Sequence, residues 1–148
     1  MSTNRIHAKG SFEYIEHKAG AASIKPGMLL TINSSDAFIV HATEGGRGDL
    51  IIGLEDALQG NGVATAYTNG EVVPAMIPHT GCSFYGMLES GQNAVIGSEL
   101  ISTGTGKFKL IGDLESGETA SKVMCVAEEA SDQSVSAGAD TLVLMRAL

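Results

Sequence analysis

Gly104-Thr105-Gly106-Lys107 is the stretch nearest to a phosphate-binding signature, and it misses at both ends. The phosphate loop needs a glycine five positions before the Gly-Lys pair and a hydroxyl residue after it, and those positions hold Ile101 and Phe108. The four residues therefore read as a hairpin turn. His7, His17, His41 and His79 have no histidine partner two or four positions away, so no metal-ligand spacing arises. Cys82 and Cys125 are the only cysteines; each sits in an apolar run, neither belongs to a Cys-x-x-Cys pair, and both read as buried free thiols. Ser, His and Asp are all present, but no Gly-x-Ser-x-Gly elbow exposes a nucleophile. Glu128 and Glu129 are adjacent, which on a strand sends them to opposite faces and keeps them from sharing a proton. Arg47-Gly48-Asp49 follows Glu44-Gly45-Gly46 and reads as a surface loop, and Asn33-Ser34-Ser35 as a turn. No catalytic residue, cofactor site or metal site is nominated, and the chain is expected not to be an enzyme. A small β-barrel enzyme would have to build its site around His41 or His79.

The elements between these residues are short and β-like. Gly is 19 of 148 residues, well above the usual level of about 7%, and the glycines fall singly or in pairs between apolar runs, as tight turns require. Strands are predicted at Met28–Ile32, Ala37–His41, Leu50–Leu54, Val63–Tyr67, Glu71–Ile77, Ser83–Leu88, Glu99–Ser102, Lys107–Ile111, Lys122–Ala127 and Thr141–Arg146. Lys25-Pro26-Gly27 is a turn, since Pro presets φ and Gly accepts a positive one. Asn69-Gly70 predicts a type I′ hairpin. Pro74 and Pro78 remove ladder donors, so their strand is expected at an edge or bulge. Helix is confined to a turn at Glu55-Asp56-Ala57-Leu58 and a short piece near Glu115–Ala120. The fold class is mainly β, a single barrel or sandwich domain of jelly-roll-like or β-tulip-like kind, over residues 24–148. Residues 1–23 end in the small-residue stretch Lys18-Ala19-Gly20-Ala21-Ala22-Ser23 and read as an extended N-terminal arm.

The net charge is −8, and its distribution narrows the partners. The first 25 residues carry four bases against two acids, a balance of +2, which leaves −10 on the rest. An acidic body repels nucleic acid. Aromatics are 5% with no Trp, which disfavours stacking platforms for sugars or single strands. No apolar stretch reaches the 18 or so residues of a membrane helix. The opening Met-Ser-Thr-Asn-Arg-Ile-His lacks a signal-peptide core, so synthesis is expected in the cytoplasm.

One resemblance gathers these features. The succession of Ala94-Val95-Ile96-Gly97-Ser98-Glu99-Leu100, Ser102-Thr103-Gly104-Thr105-Gly106-Lys107 and Val123-Met124-Cys125-Val126-Ala127-Glu128-Glu129-Ala130 resembles the small β-rich cement (decoration) proteins of tailed-phage capsids, diffusely from about Ile24 to Leu148. The resemblance implies a structural virion protein, located on the outer capsid surface, that bridges major capsid protein subunits and stabilises the shell. It also implies a homo-oligomer, with a trimer favoured over a dimer. Ile6, Phe12, Tyr14 and Ile15 of the arm are then the expected capsid or subunit anchors. The rival reading is a phage tail or receptor-binding β module, which shares the Gly-rich strands and acidic surface.

Overall fold

The computed structural model describes residues 4–114, 119–120, 122–135 and 139–148. Thirteen strands follow one another: β1 His7–Lys9, β2 Phe12–Ala19, β3 Leu29–Ile32, β4 Ala37–Val40, β5 Ile51–Gly53, β6 Val72–Pro78, β7 Ser83–Leu88, β8 Asn93–Ala94, β9 Glu99–Ser102, β10 Phe108–Leu110, β11 Cys125–Ala127, β12 Ser131–Asp132 and β13 Thr141–Ala147. Single 3-10 turns at Ala57–Gln59 and Ile111–Asp113 supply the helix among the described residues. The first sits where Glu55–Leu58 predicts a helical turn, and its Asp56 carboxylate caps Gln59 N–H. The piece expected near Glu115–Ala120 falls largely outside the described residues.

Strands β2, β4, β3, β5 and β6 close into a barrel. The other large sheet also returns on itself, because β7 pairs with β13, β13 with β11, β11 with β9, β9 with β10, and β10 again with β7 at Phe108 and Leu88. β1 occupies the remaining edge of β7. The expected mainly-β barrel is therefore the fold, and closure removes most exposed edges.

The alternation of the strands fills two cores. Leu30, Phe38, Ile51, Val73 and Ala75 point into the first barrel. Their sequence neighbours Leu29, Ile52 and Met76 point the other way and pack with Phe84, Leu88, Leu100, Phe108 and Met145. One barrel's outer face is thus part of the second core, and the Pro26-Gly27 turn fastens the junction. Met28 N–H returns to Lys25 O at 3.2 Å across Gly27 at φ 85°, Gly27 N–H donates to Gly53 O, and Gly27 O accepts from Met87 N–H.

Four expectations need correction. Residues 1–23 are not an extended arm: among the described ones, β1 pairs with β7, and β2 runs along β6 from Phe12↔Pro78 to Lys18↔Val72 as a barrel stave. The reason is visible in the pairing, since without β2 the barrel has no strand between β6 and β4. β6 is not an edge strand despite its prolines, for β5 and β2 flank it. Leu54 N–H donates to Pro74 O at 2.8 Å, and the return donor that Pro74 lacks is replaced by the Tyr67 hydroxyl, 2.7 Å from Leu54 O. Val63–Tyr67 is consequently not a strand; it touches the ladder at the Ile24↔Tyr67 bridge. The Asn69-Gly70 turn is not type I′, because only Gly70 has positive φ, 89°, and Glu71 N–H closes onto Thr68 O in the type II manner.

Gly10 turns the chain from β1 to β2 at φ +94°, and a Cβ there would lie 2.8 Å from the Cys82 Cα. Gly10→Ala should lower unfolding free energy by about 2 kcal/mol or more in urea titrations, from the left-handed conformation and the clash together. Gly62→Ala, with nothing within 4 Å of the added atom, should stay near wild type. Deleting residues 1–20 should abolish cooperative unfolding, because it removes a barrel stave.

Candidate functional site

The four residues expected to form an interface are not equivalent. Ile6 is fully buried in the second core. Its N–H donates to Glu55 Oε2 at 3.0 Å and its C=O accepts from Tyr85 N–H at 2.7 Å, so it anchors the chain internally. Phe12 is half-buried against the same core with the His7 ring centroid 4.7 Å away. Ile15 points into the barrel opposite Ala75. Tyr14 alone stands out, 54% exposed. The structure thus brings Phe12 and Tyr14 onto one face of β2, sends Ile15 to the other, and withdraws Ile6 from any external contact.

Tyr14 lies in an acidic neighbourhood. Its hydroxyl donates to Glu16 Oε1 at 2.5 Å. That hydrogen bond, partial burial and the charges of Glu16 and Asp56 push its phenol up to about 12. Glu13 and Glu16 are exposed on the same strand, and Asp36 ends the neighbouring turn beside His17. Glu16 is not among the expected anchors, although the alternation of Phe12, Tyr14, Glu16 and Lys18 with Glu13, Ile15, His17 and Ala19 is the period of a strand and places it on the Tyr14 face.

The groups with chemical potential elsewhere are engaged in structure. His41 is buried, with Nδ1 2.7 Å from Ser102 Oγ and Nε2 3.1 Å from Arg47 O; Ser102 Oγ also accepts from Gly104 N–H. Ser102 is itself fully buried, out of reach of a substrate. His79 contacts Ser11 Oγ at 3.0 Å at the surface. The Gly104–Lys107 segment is the turn between β9 and β10, with Thr103 N–H donating to Lys107 O. Arg47-Gly48-Asp49 is a loop held by Lys122 Nζ on Gly48 O at 2.9 Å. Buried Lys109 is paired with Glu44 and donates to Asp113 O. Glu128 faces Arg146, while Glu129 accepts Leu144 N–H, so the two carboxylates do not converge. Cys82 and Cys125 are free and buried, and burial pushes both thiols up. Among the described residues no three His, Cys, Asp or Glu side chains could together hold a metal ion.

A cleft of about 720 Å³ opens between the N-terminal segment and β13, with Arg5, His7, Tyr85, Glu129 and Asp140 on its walls. Its carboxylates already have partners: Asp140 bonds Lys107 at 2.9 Å and Ser90 N–H at 3.2 Å. The outer side of β2, with exposed Tyr14 and Glu16 on one face, is therefore the candidate site, an interaction surface.

No family model matches the chain, and no curated protein matches it. Among solved structures, it is similar to the head fiber gp8.5 N base of bacteriophage phi29, with a TM-score of 0.56 over 93% of this chain and 95% of that one. At 11% identity this likeness establishes a shared fold.

The acidic cluster also reaches Tyr67, whose phenol is pushed up by burial first and then by Asp56, Glu55 and Glu71. A raised tyrosine stabilises the fold fully below the unfolded value of about 10, and that contribution is lost as pH climbs toward the folded value. Tyr67→Phe should cost roughly 1–3 kcal/mol at neutral pH by orphaning the Leu54 carbonyl. Its stability should then fall less steeply than wild type above pH 10 or so, read from thermal midpoints across the alkaline range.

Proposed function

We propose that this chain is a structural protein of a tailed-phage virion, seated on the outside of the capsid shell, where it stabilises the shell by bridging major capsid protein subunits. The observation that carries this reading is the correspondence of fold with a phage head-fibre base over nearly the whole of both chains. A protein of this kind works through complementary surfaces, and the chain supports that: its reactive side chains are engaged internally, while Tyr14 and the carboxylates beside it face outward. The reading requires no catalytic residue and no cofactor. We further propose that the chain assembles as a homotrimer, which places three copies of the surface around one local symmetry axis of a shell.

Mixing the purified chain with expanded, DNA-filled shells of its own phage should give saturable co-sedimentation, and decorated shells should withstand higher temperature before releasing DNA. Light scattering coupled to size exclusion should return three times the mass of the chain. Absence of shell binding, with binding to host cells or glycans instead, would transfer the assignment to a tail or receptor-binding module.

A further inference from the structure

β2 has one completed edge and one open edge. Ala19 N–H donates to Glu71 O at 2.7 Å and His79 N–H to Ser11 O at 3.1 Å. In the antiparallel register that sets Glu13 opposite Ile77, Ile15 opposite Ala75 and His17 opposite Val73, the exchange with β6 therefore falls on the odd-numbered residues. The N–H and C=O groups of Phe12, Tyr14 and Glu16 point the other way. On that side β4 pairs at Lys18 and Ala19. It begins at Ala37, and the turn before it stops at His17, whose Nδ1 is 3.1 Å from Asp36 O. Among the described residues no strand pairs with Phe12 to Glu16 along this edge.

We propose that this edge takes up an extended, lysine- or arginine-bearing segment of a partner protein as an added strand. Three outward N–H and three outward C=O groups in sequence are the template for strand addition, in which main-chain bonds supply affinity and alternate side chains supply selectivity. The selectivity is set by charge. Glu13 and Glu16 are exposed on the strand, Asp36 lies at one end, and the field of Glu16 and Asp56 already bears on Tyr14. A basic side chain on the outer face of the added strand would meet the Tyr14 ring and the Glu16 carboxylate. The one lysine of β2, Lys18, lies where β4 has already closed the ladder. A second copy of this chain fits the edge poorly, because self-pairing would double the acidic charge of the strand, adding a second Glu13 on one face and a second Glu16 on the other.

Amide exchange followed by NMR on the full chain tests this, with a capped peptide alternating lysine and valine as probe and one alternating glutamate and valine as control. In the free protein, the amides of Glu13, Ile15 and His17 should exchange slowly and those of Phe12, Tyr14 and Glu16 quickly. Millimolar lysine peptide should slow the latter three by at least about tenfold, and the glutamate peptide should not. Tyr14→Pro deletes an outward N–H without touching a bond to β6, so it should abolish peptide-induced protection at Phe12 and Glu16, whereas Tyr14→Phe should keep it. Glu13→Lys with Glu16→Lys keeps the edge and should reverse the choice of peptide. The proposal is overturned by no protection with the lysine peptide, by equal protection with both peptides, or by concentration-dependent protection of the free protein, which would identify a second copy as the occupant.

Discussion

The structure depends on one backbone constraint: the corner at which two antiparallel strands pass together from one barrel to the next. β1 and β2 run against β7 and β6 as a single interrupted ribbon, and the interruption is where Gly10 and Ser11 face His79 to Cys82. Gly10 abuts the Cys82 backbone, where a Cβ would intrude. His79 N–H donates to Ser11 O, so the ladder resumes directly beyond the bend. A ribbon that turns in this way commits its two halves to different sheets while keeping Glu13, Ile15 and His17 of β2 paired with β6. The chain that leads into it is held equally firmly, with Ile6 buried and its N–H on Glu55.

Around that corner the two cores share a wall. Because Leu29, Ile52 and Met76 face away from their own barrel, the second core is built partly from the first barrel's exterior, and neither ring could be removed without exposing the other. Positive-φ glycines make the close approaches: Gly27 sits against Leu142, and Gly106 against Val40 while accepting Leu29 N–H. The same economy explains the reactive side chains. His41, Ser102, Lys109 and Glu44 tie the loop before β5 to the β9–β10 hairpin, where buried His41 and Ser102 satisfy each other and Glu44 pairs with buried Lys109. Those side chains are thereby engaged in architecture, while Tyr14 and Glu16 on the outer side of β2 stay exposed.

Much of this was legible in the residues themselves. Turn chemistry is local, so Lys25-Pro26-Gly27 folds as read, and the strands predicted around β3, β4, β5, β7, β9, β10, β11 and β13 appear within a residue or three of their expected limits. The mainly-β class followed from the same signals.

Pairing was decided elsewhere. Phe12 to Ala19 carries the period of a strand, yet its partners in β6 lie far along the chain, from Lys18↔Val72 to Phe12↔Pro78, and no local signal distinguishes a barrel stave from a free arm. Val63–Tyr67 has strand-forming residues but is drawn out of the ladder because Tyr67 must supply the donor that Pro74 lacks, a debt visible only once β5 and β6 lie side by side. The Asn-Gly turn takes a different type because the segment before it is not a strand. Residue type and spacing settle what each segment can be, since backbone sterics and side-chain alternation act over a few residues; which edge is closed and which stays open depends on hydrogen-bond donors brought together from distant parts of the chain.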